Sequence, residues 1–227
     1  MDRRLVDVSQ AGNIDAFYAL LEDEPDILNF IDEVPFTRTP LHIAILAQKF
    51  HFAKEMANIR PSFITKLDRF GYNPIHLAAE YGQVEMVRSL LEISGAAKEA
   101  IKGKENKTPL HFAVMSGKIE VVNFLLQRYP SCIMDLTVKN ETVFHLAVKH
   151  KQLGVLLVLL EQLKLACQCQ GKIALKDATC SCFDECMVSI NAVIVKDLLN
   201  CKDEEGNTVL HLATMMKQQQ MVEALLN

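Results

Sequence analysis

The amino-acid sequence predicts an all-α protein built as an array of stacked helix-turn-helix repeats. One six-residue pattern occurs five times: Thr or Asn, then Pro or Val, a large apolar residue, His, another apolar residue and Ala. The five histidines are 34, 35, 34 and 66 residues apart, and the last separation is close to two ordinary ones. A fixed period of this length is typical of arrays in which each repeat buries its apolar face against its neighbours. The copies occupy residues 39–44, 73–78, 108–113, 142–147 and 208–213.

The third copy shows why these residue types begin a helix. Thr108 is expected to be the N-cap, where its side-chain oxygen accepts a hydrogen bond from a backbone N–H of the first turn. Pro109 then occupies the first helical position, where a missing N–H costs nothing. Leu110 and Ala113 share one helical face, and the small alanine lets the neighbouring helix approach. We expect the ring of His111 to bond the Thr108 hydroxyl and the backbone of the adjacent repeat.

A second helix is expected after each chain reversal. Gly12, Gly82 and Gly117 stand where the first helix ends, a position that favours left-handed φ, and Gln48 replaces the glycine in one repeat. Apolar residues then recur with a spacing near 3.6, which predicts an amphipathic helix. The second helices predicted in this way include residues 84–91, 119–126 and 153–165.

These repeats resemble ankyrin repeats, whose pattern includes Thr-Pro-Leu-His-x-Ala at a period of about 33 residues. The resemblance covers nearly the whole chain and implies an ankyrin-repeat α-solenoid with short β-hairpin fingers. The fingers are expected to precede the pattern, at residues 32–39, 68–72, 103–107, 139–141 and 203–207. Among ankyrin proteins, the chain is most similar to the plant accelerated-cell-death and PGG-domain type. Residues 5–26, 60–63 and 203–213 carry that similarity.

We expect a single ankyrin-repeat domain over residues 1–227, with about six repeats. Residues 1–32 read as a degenerate N-terminal cap, because the outer face of a terminal repeat meets water rather than a neighbour. The regular repeats are assigned to residues 39–66, 73–100, 108–136 and 142–165, a cysteine-rich insertion to 166–200, and a truncated last repeat to 208–227. No polar capping repeat follows residue 227, so we expect the natural product to continue beyond it.

The composition argues against several functional classes. Half of the 227 residues are apolar, and a net charge of −4 disfavours general binding to nucleic-acid phosphates. The N-terminus is too polar for a secretory signal, and no apolar run approaches the roughly 18 residues of a membrane span. Seven cysteines fit a reducing compartment better than a disulfide framework. We therefore expect a soluble, cytoplasmic chain, and the resemblance implies the cytosolic face of the plasma membrane for the full-length product.

No catalytic residue, cofactor site or metal site is assigned. The motif histidines are interpreted as structural, since stacked repeats hold equivalent rings too far apart to share one metal ion. No nucleophile elbow, phosphate loop or His-Glu-x-x-His motif occurs. Five cysteines between Cys167 and Cys186 could supply thiolates to zinc or act as a redox sensor, although their spacings match no common zinc module.

The favoured function is a protein-protein interaction scaffold, because a stacked array presents an extended, rigid concave face. The resemblance implies plant defence signalling, with membrane contact only through a C-terminal region absent from this chain. The alternatives are a redox- or zinc-responsive regulator that uses the Cys167–Cys186 cluster, and an ankyrin-type transcriptional cofactor, against which the acidic charge counts. The candidate partner-binding residues are Phe36, Arg38, Arg69, Phe70, Tyr72, Glu80, Tyr81, Lys104, Lys107, Met115 and Met215.

Overall fold

The computed structural model describes residues 2–95, 101–169 and 197–226, with the backbone alone for residues 166–169. Within these ranges the chain is predominantly helical and contains no strand. It divides into two compact units, Met1–Lys104 and Glu105–Asn227, which are called the N-terminal unit and the C-terminal unit below. The helical fold that the sequence predicts is confirmed.

Helix pairs build the N-terminal unit. Its helices are α1 (Arg3–Ala11), α2 (Ile14–Asp23), α3 (Ile27–Glu33), α4 (Pro40–Leu46), α5 (Phe50–Ile59), α6 (Ser62–Thr65), α7 (Pro74–Glu80) and α8 (Val84–Ser94). The pairs are α1 with α2, α4 with α5, and α7 with α8. The first helices of the pairs pack in the order α1, α4, α7, and the second helices α5 and α8 pack against each other.

The C-terminal unit follows the same plan. Its helices are α9 (Pro109–Met115), α10 (Ile119–Arg128), α11 (Val143–Lys149), α12 (Leu153–Cys169), α13 (Val209–Met215) and α14 (Gln219–Leu226). The first helices α9, α11 and α13 pack in that order, and the second helices pack in the order α10, α12, α14. Residues 197–200 are also helical.

The apolar positions of the six-residue pattern contribute to the core of each unit. In the N-terminal unit, Leu41 and Ile75 are fully buried, and so are Ala44 and Ala78 three residues later. Helices α4 and α7 pack against each other, and the alanines leave room for that approach. The pairing of one large and one small apolar residue therefore acts as the sequence predicts.

The predicted N-caps are present. The side chains of Thr39, Asn73, Thr142 and Thr208 each accept a hydrogen bond from the backbone N–H three residues later. In each case the residue three positions later is the motif histidine, whose ring in turn accepts the N–H of the capping residue. The histidine thus takes the place that Glu or Gln holds in the usual capping box.

The chain reverses through a left-handed residue after each first helix. Gly12, Gly82 and Gly117 have φ of 72°, 77° and 70°, as predicted. Gln48 has φ of 56° at the same place, which costs roughly 1–2 kcal/mol in a residue with a Cβ. Lys151 also has φ of 56°, so the reversal does not depend on glycine.

A short helical segment after the second helix recurs in both units, and sequence reasoning missed it. In the N-terminal unit it is α3 or α6, and in the C-terminal unit it is a 3-10 turn at Pro130–Met134. Each begins within two residues of a proline and buries two adjacent apolar side chains. The buried pairs are Ile27 and Leu28, Phe63 and Ile64, and Cys132 and Ile133.

The fingers are tight turns in the described residues, and the β-hairpins that the ankyrin resemblance implies are not shown. At residues 68–72, Asp68 N–H donates to the Tyr72 carbonyl at 2.8 Å, and Gly71 N–H donates to the Asp68 carbonyl at 2.9 Å. A single backbone bond then joins this turn to the next finger, from Lys104 N–H to the Gly71 carbonyl at 3.0 Å. One such bond does not make a ladder of paired strands.

Gly103 marks the closest approach between two fingers of the N-terminal unit. A Cβ on Gly103 would lie 2.7 Å from the Gly71 carbonyl oxygen and 2.7 Å from His76 Cε1. We expect Gly103→Ala to lower the free energy of unfolding by about 2 kcal/mol, because the backbone must move to relieve the overlap. Urea unfolding followed by circular dichroism measures the change.

The matched control is Gly154→Ala, in which the added Cβ meets only the end of the Ile119 side chain, at 3.2 Å. Gly154 lies in helix α12, where alanine is preferred over glycine by about 0.5–1 kcal/mol. We expect this variant to be at least as stable as the wild type. Equal loss of stability in the two variants would contradict the steric explanation.

Candidate protein-binding surface

The motif histidines fix the fingers to the helices. In the N-terminal unit, His42 Nδ1 accepts the Thr39 N–H at 3.1 Å and lies 2.8 Å from Thr39 Oγ1. Since Nδ1 accepts, the proton of the neutral ring is on Nε2, which donates to the Tyr72 carbonyl at 3.0 Å. His76 Nε2 lies 2.8 Å from the Ile101 carbonyl oxygen. Each ring therefore joins its own cap to a later finger.

The same arrangement occurs in the C-terminal unit. His145 Nδ1 lies 2.8 Å from Thr142 Oγ1, and its Nε2 lies 3.2 Å from the Asn207 carbonyl oxygen. His211 keeps the contact with its cap, at 2.7 Å from Thr208 Oγ1. The predicted bonds from the motif histidine to the capping hydroxyl and to the backbone of the next repeat are confirmed for His42 and His145.

A buried aspartate shapes the finger at residues 68–72. Asp68 is completely buried, and its Oδ1 accepts the N–H groups of Phe70 and Tyr72 at 2.9 and 3.1 Å. These bonds hold the turn from inside, so the Arg69 and Phe70 side chains lie on the outside and are exposed. The sequence signal for this arrangement is an aspartate five residues before the Asn or Thr cap.

Asp203 holds the finger at residues 203–207 of the C-terminal unit in the same way. Its Oδ1 accepts the N–H groups of Glu205 and Asn207 at 3.1 and 2.8 Å. Lys149 Nζ lies 3.3 Å from Asp203 Oδ2 and donates to Glu141 Oε1 at 2.7 Å. Burial alone would raise the pKa of Asp203, but the Asn207 N–H and the Lys149 ammonium outweigh it and hold that pKa below its usual range.

Three of the predicted partner-binding residues form one cluster in the N-terminal unit. The Phe70 ring is 52% exposed, with the guanidinium carbon of Arg38 at 5.9 Å from its centroid and that of Arg69 at 5.8 Å. Arg38 also lies 3.5 Å from the buried carboxylate of Asp68, so part of its charge is already paired. Arg69 is exposed and lies beside the ring. We call Arg38, Arg69 and Phe70 the finger cluster.

The other predicted finger residues of this unit differ in exposure. Phe36 is 63% exposed, and Lys104 is exposed. Tyr72 is half-buried, and its ring centroid lies 6.5 Å from that of Phe70. Tyr72 also supplies the carbonyl that His42 bonds, so its backbone has a structural task.

The predicted residues on helix α7 lie at its C-terminal end. Tyr81 is exposed, and Glu80 is half-buried. Burial raises the pKa of the Glu80 carboxyl. Both side chains reach solvent and could contact a partner.

The predicted residues of the C-terminal unit are more scattered. Lys107 is half-buried and pairs with Glu105 at 2.8 Å. Met115 is half-buried at the end of α9, and its carbonyl accepts Gln152 Nε2 at 3.2 Å. Met215 is 67% exposed. The structure describes no cluster among these three residues like the finger cluster.

The side chains of the Cys167–Cys186 cluster lie outside the described residues. Within the described part, Cys132 is buried, Cys201 is half-buried, and no group of His, Cys, Asp and Glu side chains is placed to hold a metal ion. Among the described helices, none is both long and apolar enough to cross a bilayer.

Sequence reasoning missed several exposed apolar residues. Phe30 and Val34 are 67% and 52% exposed near the first finger, and Val138 is 64% exposed in the C-terminal unit. A helical wheel of residues 27–34 contains the signal, because Phe30 lies at the edge of the face on which Ile27 and Ile31 are buried.

Comparison with known protein families settles the class of this chain. A family model described as ankyrin repeats (3 copies) matches residues 5–102, 60–135 and 94–170, and a model of the single ankyrin repeat matches residues 205–227. The chain belongs to the ankyrin-repeat family. Ankyrin repeats bind other proteins, so this ankyrin-repeat chain is a protein-protein interaction scaffold.

Several relatives are similar to parts of this ankyrin-repeat chain. Ankyrin repeat-containing protein BDA1 of Arabidopsis thaliana is 42% identical over 71 residues, which are 31% of this chain and 17% of BDA1. Ankyrin repeat-containing protein ITN1 of the same plant is 33% identical over 75 residues, 33% of this chain and 13% of ITN1. Inversin of Canis lupus familiaris is 27% identical over 203 residues, 89% of this chain and 16% of inversin. The chain thus spans less than a fifth of each of these relatives.

Proposed function

We propose that this scaffold binds a partner protein through the surface formed by its fingers and first helices, which an ankyrin array presents as its concave face. The observation that carries the proposal is the finger cluster. Exposed aromatic and arginine side chains dominate the energetics of protein interfaces, and Phe70 and Arg69 combine both types. The turn beneath them is held by Asp68, so a partner meets a surface that is already ordered.

The charge of the finger cluster favours a partner segment with acidic and apolar side chains. Asp68 offsets much of the charge of Arg38, while Arg69 and Lys104 are exposed cations. A carboxylate placed near the edge of the Phe70 ring would meet both guanidinium groups. An apolar side chain could cover the exposed ring face at the same time.

We further propose that the scaffold acts in plant defence signalling. The two Arabidopsis thaliana relatives support a plant setting, since each matches about a third of the chain. The defence role rests on the resemblance of residues 5–26, 60–63 and 203–213 to the accelerated-cell-death and PGG-domain type. The same resemblance supports a location in the cytosol. It also supports a location at the cytosolic face of the plasma membrane for a full-length product that carries a membrane-embedded C-terminal region.

Affinity capture with matched variants tests the binding surface. Immobilised wild-type chain and an Arg69→Ala/Phe70→Ala variant are exposed to the same cell extract, and bound proteins are quantified by mass spectrometry. We expect the specific partner to bind the variant at least about tenfold more weakly, because truncating such anchors typically costs 2 kcal/mol or more. Unchanged recovery of every bound protein would contradict the proposal.

The control is Phe30→Ala, which removes another exposed phenylalanine of the same unit, away from the finger cluster. We expect this variant to retain the finger-bound partner. Circular dichroism should show wild-type helical content for all three proteins, because each altered side chain is exposed.

A further inference from the structure

A cleft lies near the N-terminus of the same unit, and its lining includes no residue of the finger cluster. This cleft of about 370 Å³ is lined by Asp2 and Glu24 on one side and by α3 and the residues after it on the other. The lining side chains from α3 and its continuation are Ile27, Phe30, Ile31, Val34 and Thr37. We call this site the α3 cleft.

The wall of the α3 cleft is apolar and partly uncovered. Ile27 and Ile31 are buried at its base, while Phe30 and Val34 are 67% and 52% exposed. These four residues follow the i, i+3, i+4, i+7 spacing of one helical face. That spacing is also the one by which a helical partner presents its anchors in a helix-in-groove complex.

Helix α3 is held firmly from behind. Lys66 Nζ donates to the Ile31 carbonyl at 2.8 Å, which satisfies a backbone group near the helix C-terminus with a cation. Ser62 Oγ donates to Asp32 Oδ2 at 2.8 Å. The exposed Phe30 and Val34 therefore lie on a supported element.

The segment that lines the α3 cleft carries more carboxylates than cations, and Lys66 pairs with one of these carboxylates, that of Asp32. Residues 2–36 contain nine carboxylates and only Arg3 and Arg4 as cations. Arg4 pairs with both Asp2 and Glu24, so these three side chains together carry a net charge of −1. The exposed carboxylates next in sequence to lining residues are Asp23 and Glu33.

We propose that the α3 cleft binds a basic amphipathic helix of a partner protein, with apolar anchors over Phe30 and Val34 and lysine or arginine opposite the carboxylates. Charge complementarity selects this occupant, because the same carboxylates repel acidic peptides, nucleic-acid phosphates and anionic lipid surfaces. The finger cluster is positively charged. The finger cluster and the α3 cleft therefore bind partner segments of opposite charge.

Peptide binding measured by fluorescence anisotropy tests this inference on the whole chain. The probe is a labelled amphipathic peptide of leucine and lysine, compared with a leucine-glutamate and a serine-lysine peptide of equal length. At about 0.15 M salt, where surface charges farther apart than about 8 Å are screened, we expect only the leucine-lysine peptide to bind well. The other two should bind at least about tenfold more weakly.

Variants separate specific docking from simple charge attraction. The double variant Phe30→Ser/Val34→Ser keeps every carboxylate, and it should bind the leucine-lysine peptide about tenfold or more weakly than the wild type does. Phe70→Ser should bind the same peptide with wild-type affinity. Amide shift changes on the wild-type chain, which need no variant, should centre on residues 22–37. The proposal would be overturned if the leucine-lysine peptide bound the wild type and the double variant with equal affinity, or if the serine-lysine peptide bound the wild type as well as the leucine-lysine peptide does. Amide shift changes centred outside residues 22–37 would also overturn it.

Discussion

The variant His42→Ala is expected to lower the free energy of unfolding by about 3 kcal/mol. The ring of His42 is completely buried, and it bonds both its own cap, Thr39, and the carbonyl of Tyr72 in the next finger. Alanine removes all of these bonds, leaves buried polar groups without their partner and opens a cavity. Urea unfolding at neutral pH, followed by circular dichroism, measures the loss.

His51→Ala is the matched control, because His51 is an exposed histidine on α5 of the same unit. Its substitution is expected to change stability by no more than about 0.5 kcal/mol. If His42→Ala were as mild as this control, the bonds from the ring to the cap and finger would not be what holds the repeat to its neighbour.

Acid should destabilise the chain before most carboxylates titrate. Burial lowers the pKa of His42 to about 4, although the Tyr72 carbonyl opposes the shift, and burial also lowers the pKa of His145. An unfolded histidine has a pKa near 6.5, so below that pH the unfolded state binds more protons than the folded state. The free energy of unfolding is therefore highest above about pH 6.5 and falls as the pH drops toward 4. Protonation of His42 alone accounts for about 3 kcal/mol of this fall.

Unfolding curves at several pH values between about 7.5 and 5 test this expectation, since the first part of the loss falls in that range. His42→Gln keeps a polar side chain but removes the titrating ring, and it should show a shallower fall in stability than the wild type. If the free energy of unfolding fell equally steeply with pH in both proteins, groups other than His42 would be binding the protons.

The helical part of the fold was predictable because its signals are local. A cap such as Thr39, the histidine three residues later and an alanine beyond it act within two helical turns, so their roles follow from spacing alone. The left-handed reversal at Gly82 is likewise a property of one residue. The positive φ of Lys151 was missed, because a lysine carries none of the glycine signal that marks the reversal at Gly82.

The candidate surface was less predictable because it depends on contacts between distant residues. The sequence identified Arg38 and Phe70 as candidate contacts, but not that Asp68 binds Arg38 or that two guanidinium groups flank one ring. The exposure of Phe30 was missed because the sequence analysis did not recognise residues 27–33 as a helix with Ile27 and Ile31 on its buried face.

The bonds from Asp68 to the backbone of its turn separate the shape of the finger from its chemistry. Because the buried Oδ1 atom of Asp68 bonds backbone N–H groups within the turn, the side chains at positions 69 and 70 can change without altering the path of the chain. Asp203 gives the finger at residues 203–207 the same independence. Gene duplicates of such a chain can therefore diverge in partner choice through a few substitutions at the tips, while inheriting an unaltered framework.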